Sequence, residues 1–136
     1  MIFGMKVAYY GVKLMATILI VDDDTDMCQV ISDILKEDSY LVDRVHNGES
    51  AIEKLKRKKY DLMILDYKLP GISGLEVLEE ANKTRTKLKI IMISAYGNEY
   101  VKAKAKGLGA VNFLDKPFEI KKLVLNVKNL LANRKR

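Results

Sequence analysis

The chain has 136 residues, a net charge of +6, one cysteine and one histidine. That length suits a single domain that buries roughly 70% of the surface its unfolded form exposes, so no disulfide or structural metal is required to hold it. Cys28 has no second thiol to bridge to, and with His46 as the only imidazole there is no zinc-type cluster, which favours a reducing, cytoplasmic setting.

Met1 to Leu14 is mildly apolar but broken by Lys6 and Lys13. It lacks a basic start and a small-residue cleavage site, and is shorter than the ~20 residues that span a bilayer. It reads as neither a signal peptide nor a membrane helix. Residues 1–15 are therefore expected to be an N-terminal extension: native, an expression remnant, or the product of an upstream start. The domain is expected to occupy 16–132, and 133–136 to be a basic tail.

From Thr17 strand and helix alternate. Ile18-Leu19-Ile20-Val21 is an apolar run that stops on Asp22, Asp23 and Asp24. Met27, Val30, Ile31, Ile34 and Leu35 then recur at the spacing of one helix face, with Thr25 or Asp26 as the expected N-cap. Tyr40 to Val45 is a second strand, less uniformly apolar and so expected at a sheet edge. His46 follows it in a loop and reads as a surface residue. Asn47-Gly48 turns the chain into a helix around Ala51, Ile52 and Leu55 that ends in Lys56-Arg57-Lys58-Lys59.

Leu62 to Leu65 is the third strand. It runs onto Asp66, and Pro70 with Gly71 marks the loop beyond, so the carboxylate sits at the mouth of the sheet. A helix around Leu75, Val77, Leu78 and Ala81 follows Gly74. Leu88 to Ile93 forms the fourth strand and stops on Ser94, and an Ala- and Lys-rich helix runs from about Asn98 to Lys106 before Gly107 and Gly109 break it. Val111-Asn112-Phe113-Leu114 is a fifth strand close to Lys116. Ile120, Leu123, Val124, Val127, Leu130 and Leu131 form the clearest helical stripe of all. The surplus Lys and Arg lie on helix flanks without interleaved aromatics, the pattern of solvated surfaces rather than a nucleic-acid patch, so direct nucleic-acid binding is not expected.

Five β-α units with near-continuous apolar strands imply an α/β fold, a doubly wound five-stranded parallel sheet with helices on both faces. The working crevice of such a sheet lies outside the carboxyl ends of the strands, where the strand order reverses. Under the order 2-1-3-4-5 the first and third strands flank that point, which draws Asp22, Asp23 and Asp66 into one acidic pocket. Three carboxylates that close repel unless a cation or protons neutralise them, and an oxygen-rich set with few ligands suits Mg²⁺. One aspartate at a strand end is more often a cap or a turn residue than a ligand. The conjunction with Ser94 and Lys116 on the same rim is what points to chemistry.

Val21-Asp22-Asp23-Asp24, Leu65-Asp66-Tyr67-Lys68-Leu69-Pro70-Gly71-Ile72-Ser73-Gly74, Ile93-Ser94-Ala95 and Phe113-Leu114-Asp115-Lys116-Pro117-Phe118 resemble the receiver domain of bacterial response regulators, from Thr17 to about Leu131. The resemblance implies a flavodoxin-like (βα)5 fold and a part in two-component or phosphorelay signalling. It makes Asp66 the phosphoacceptor, served by a phosphohistidine on a sensor histidine kinase or histidine phosphotransfer protein. Asp22, Asp23, Asp66 and the Lys68 main-chain carbonyl become the Mg²⁺ ligands, Ser94 and Phe113 the switch pair, and Lys116 the lysine before a cis-proline. The activity implied is a self-catalysed phosphotransfer and autodephosphorylation rather than multiple turnover. Output is expected through a protein target on the face of the fourth helix, fifth strand and fifth helix, and the short C-terminal tail suggests a single-domain relay or contact regulator. Ser94 stands where threonine is more usual, and Asp24 where glutamate often follows the acidic pair.

Two rival readings remain at this point. Haloacid-dehalogenase-type phosphatases also combine a strand-end aspartate, Mg²⁺, a strand-end hydroxyl and a lysine, and Asp22-x-Asp24 superficially suits them. Their first motif, however, wants Thr or Val where Asp26 stands, no acidic pair follows Lys116, and the chain is short for them. The other is a receiver-like binding module that works without phosphorylation. A P-loop site is excluded because no Gly-rich Gly-Lys-Ser/Thr stretch occurs.

Overall fold

The computed structural model describes residues 15–84 and 87–132. Expectations for the extension before Met15 and for the 133–136 tail lie outside the described residues.

Strands β1 (Thr17–Val21), β2 (Leu41–Val45), β3 (Leu62–Asp66), β4 (Lys89–Ala95) and β5 (Asn112–Lys116) alternate with helices α1 (Thr25–Glu37), α2 (Gly48–Arg57), α3 (Gly74–Thr84), α4 (Glu99–Gly107) and α5 (Ile120–Ala132). Every pairing is parallel and the sheet order is β2-β1-β3-β4-β5. This is the doubly wound sheet expected from the alternation and the flavodoxin-like (βα)5 fold that the resemblance implies. All strand carboxyl ends therefore share one rim.

The near-continuous apolar strands follow from burial on both faces. Leu19, Val21, Met63, Leu65, Ile90 and Met92 pack with Ala51 and Leu55 of α2, Val77, Leu78 and Ala81 of α3, and Ala105 of α4. The alternate residues Ile18, Ile20, Leu62, Ile64, Ile91 and Ile93 pack with Cys28, Ile31 and Leu35 of α1 and Leu123, Val127 and Leu131 of α5. This is the period-two alternation of a strand, with helices supplying apolar surface on each side. β2 is an edge strand, as β5 is on the other side, and only Val45 within β2 is buried.

Several local expectations shift. The α1 N-cap is Asp24, whose side chain accepts from the Met27 N–H at 3.0 Å, not Thr25 or Asp26. Asp24 still has extended backbone (φ −81°, ψ 97°) and the helix opens at Thr25, earlier than a cap at 25 or 26 would place it. On α1, Val30 is exposed and Cys28 buried, because stripes 27/30/31/34 and 28/31/32/35 differ by one residue and packing against the sheet selects the second. β2 starts at Leu41 rather than Tyr40, and β4 runs on through Ser94 to Ala95. Asn47 does more than turn the chain: its side chain accepts from the Ser50 N–H at 2.7 Å and caps α2.

Gly74 opens α3 hard against the end of β3. Its N–H donates to the Tyr67 carbonyl at 2.8 Å, and a Cβ there would press on the Asp66 carbonyl and lie 2.7 Å from Tyr67 Cα. The close approach fixes the loop that leaves Asp66.

Candidate functional site at the carboxyl rim

Asp22 follows β1 directly and Asp66 closes β3. These strands are neighbours, with Val21 opposite Leu65, so the two carboxylates emerge side by side. Both are almost fully buried, whereas Asp23 is exposed. One carboxylate oxygen from each of Asp22, Asp23 and Asp66 lies within 4.8 Å of the others. Lys116, at the end of β5, reaches past β4 to place Nζ 2.8 Å from Asp66 Oδ2 and 3.6 Å from Asp22 Oδ2. The Lys116–Pro117 peptide is cis. Beside this lysine opens a cleft of about 380 Å³ lined by Asp24, Met27, Ala95, Lys116, Pro117 and Phe118.

The electrostatics follow from burial. Loss of water pushes the Asp22 carboxyl up to about 6; the Asp24 N–H, 3.0 Å from Asp22 Oδ1, and the Lys116 charge pull it down, while the Asp66 charge pushes it further up. For Lys116 burial favours the neutral amine, but the hydrogen bond and charge of Asp66, with Asp22 and Asp23 behind, win and raise its pKa. The ammonium is thus held in its charged form against the carboxylates. Hard oxygen donors in this number are the chemistry of a divalent cation such as Mg²⁺.

The other predicted residues border this cluster to different degrees. The Lys68 N–H points to Asp66 Oδ1 at 3.4 Å, so its backbone lines the pocket while its side chain is exposed. Ser94 is buried on β4, one residue beyond Ile93, the register partner of Asp66. Phe113 is half-buried against the α2–α4 side of the core, two residues before Asp115, which pairs with Ser94. Asp115 is itself tied to α4 through Lys102 Nζ at 2.9 Å.

His46 departs from its expected surface position. It is half-buried, with Nδ1 2.9 Å from the Asp22 carbonyl oxygen. The Cys28 thiol approaches the same oxygen at 3.4 Å. Nothing in local sequence marks either residue as a neighbour of the site. The contacts exist because β2 and α1 flank β1, a fact of topology rather than of pattern.

Comparison with known proteins decides the family. The model for the response regulator receiver domain matches residues 18–128. The chain belongs to that family. It is the receiver domain of a two-component response regulator, a family phosphorylated on aspartate, and the phosphatase alternative drops out. The receiver is 35% identical over 117 residues to the response regulator ArlR of Staphylococcus epidermidis, covering 86% of this chain and 53% of that protein. It is 34% identical to the transcriptional regulatory protein ResD of Bacillus subtilis, over 84% of this chain and 47% of that one. The chain thus spans about half the length of these relatives. A CheY-like receiver domain protein from Methanospirillum hungatei superposes with a TM-score of 0.83 at 30% identity, covering 87% of this chain and 94% of that one. The response regulator TrrA from Thermotoga maritima, solved in complex with Mg(2+)-BeF, gives 0.77 at 38% identity, with 86% and 100% covered. No helix among the described residues is long and apolar enough to cross a membrane.

Proposed function

We propose that Asp66 is the phosphoacceptor of this receiver domain and that Asp22, Asp23, Asp66 and the Lys68 carbonyl hold Mg²⁺ beside it. The observation that carries the reading is the buried Asp66 carboxylate, within 4.8 Å of two further carboxylates and 2.8 Å from a lysine ammonium. When bound, the metal supplies positive charge that offsets repulsion between the carboxylates and an incoming phosphoryl group. The donor set fits it, being oxygen-only and open at the rim through exposed Asp23.

In the transfer, an Asp66 carboxylate oxygen attacks the phosphorus of a phosphohistidine on a sensor kinase or histidine phosphotransfer protein. The P–O bond forms as the P–N bond breaks, and the electron pair returns to the donor imidazole. Lys116 already contacts an acceptor oxygen, so its ammonium is poised to bind a phosphoryl oxygen as negative charge arrives. Ser94 follows the register partner of Asp66 and offers a hydroxyl to the phosphoryl group. Movement of Ser94 would free space for Phe113, turning the α4-β5-α5 face into the surface read by a downstream protein. A cytoplasmic site of action goes with a phosphohistidine donor and a single free cysteine.

Acetyl phosphate with Mg²⁺, followed by peptide mass spectrometry, tests the assignment. The phosphoryl group is expected on Asp66 and abolished in Asp66→Asn. Modification of Asp22 instead would refute the acceptor assignment. Absence of Mg²⁺-dependent labelling would leave a receiver-fold binding module that works without phosphorylation.

A further inference from the structure

The main chain of Asp22 is held from several sides. Its N–H donates to the Val45 carbonyl at 3.2 Å, continuing the β1–β2 ladder one rung past the Val21–Val45 pair. The next rung of a parallel ladder would bring the Asn47 N–H to the Asp22 carbonyl. That rung is missing, because at Asn47 the chain leaves the sheet to cap α2. The His46 imidazole takes its place, with Nδ1 2.9 Å from the carbonyl oxygen. A carbonyl oxygen only accepts, so Nδ1 carries the hydrogen. The second donor, the Cys28 thiol at 3.4 Å, is weak.

We propose that His46 is a positioning residue for the cation site, acting through the Asp22–Asp23 peptide. The inference rests on the reading of Asp22 and Asp23 as Mg²⁺ ligands. The held carbonyl belongs to the peptide unit from which Asp23 hangs. Asp22 is buried and accepts the Asp24 N–H on its carboxylate, whereas Asp23 is exposed, so the placing of its oxygen within 4.8 Å of Asp22 and Asp66 depends on how that peptide is turned. With the imidazole donor gone, only the weak Cys28 thiol still holds the carbonyl, the peptide is turned less firmly, and the third carboxylate is placed less well for the set. Partners one shell out from a metal generally act in this way, by orienting its ligands.

The test uses the full chain with two substitutions. His46→Leu keeps bulk and removes the donor. His46→Asn keeps a donor, because Asn Nδ2 stands two bonds from Cβ as His Nδ1 does. Mg²⁺ affinity is read by calorimetry, and thermal stability is read separately in EDTA. Wild type is expected to bind Mg²⁺, His46→Leu to bind roughly tenfold more weakly, and His46→Asn to recover most of the loss. Leu binding as tightly as wild type, or Asn binding as weakly as Leu, would overturn the positioning role. A lower melting temperature with unchanged Mg²⁺ affinity would likewise overturn it and assign His46 to packing alone. Failure of wild type to bind Mg²⁺ is a separate outcome, which refutes the metal reading of Asp22 and Asp23 itself.

Discussion

Replacing Lys116 by methionine isolates the charge balance at the rim. Without metal, its ammonium compensates two nearly buried carboxylates, at 2.8 Å from Asp66 and 3.6 Å from Asp22. At an effective dielectric near 20 the gross attractions are about 6 and about 5 kcal/mol, but most of that is offset by the desolvation of the three groups. Breaking a buried pair costs ~3–5 kcal/mol. The lysine side chain is 39% exposed, so solvent screening reduces the expected loss to about 1–2 kcal/mol. That is a fall in melting temperature of roughly 4–8 °C for a domain of this size. Urea unfolding followed by far-UV circular dichroism, in EDTA and again in millimolar Mg²⁺, measures it. The loss should shrink with Mg²⁺, which takes over the neutralising charge. It should also shrink in an Asp66→Asn background, where one carboxylate no longer needs a partner, giving a coupling of about 1 kcal/mol in a double-mutant cycle. Equal losses with and without metal, and no coupling to Asp66, would refute the view that Lys116 balances this cluster.

Three further outcomes are expected, one at the same rim and two elsewhere in the molecule. Mg²⁺ at a hundredfold excess over its dissociation constant should stabilise the protein by about 2.7 kcal/mol, and Asp23→Asn should weaken this; a melting temperature indifferent to Mg²⁺ in wild type would count against the site. Asp43, although desolvation opposes ionisation, is held below the usual carboxylate range by the Lys58 and Tyr60 hydrogen bonds at 2.9 and 2.5 Å. Its folded pKa is depressed, so its stabilisation is present above the unfolded value of 3.8 and is lost as pH falls through the lower folded value; acid unfolding should lose that component in Asp43→Asn, and an unchanged acid limb would contradict the assignment. Burial first, then the Asp22 charge, pushes the fully buried Cys28 thiol up to about 12, so a disulfide reagent at about pH 8 should label it only as fast as the fold opens, and rapid labelling of native protein would show the thiol to be accessible.

The primary sequence on its own was enough for the strand–helix alternation, the doubly wound class and the residues of the acidic rim. The physical reason is local: strands buried on both faces are apolar throughout, and each strand that carries chemistry announces its end with a change to charge or a turn. Asp22, Asp66 and Lys116 could be read as one set because parallel strands put all their carboxyl ends on one side. Tertiary structure alone decided matters where two registers satisfy the same pattern or where contacts are distant in the chain. Periodicity allowed Val30 or Cys28 to face the core of α1, and packing against the sheet chose Cys28. Asp24 is the cap because its backbone stays extended while its carboxylate accepts the Met27 N–H. His46 belongs to an edge-strand loop that reads as solvent-facing, and only the adjacency of β2 to β1 brings its ring to the Asp22 carbonyl, 24 residues away in sequence. A hydrogen bond of that kind leaves no periodic trace, since it depends on where two strands end relative to each other rather than on the residues around either.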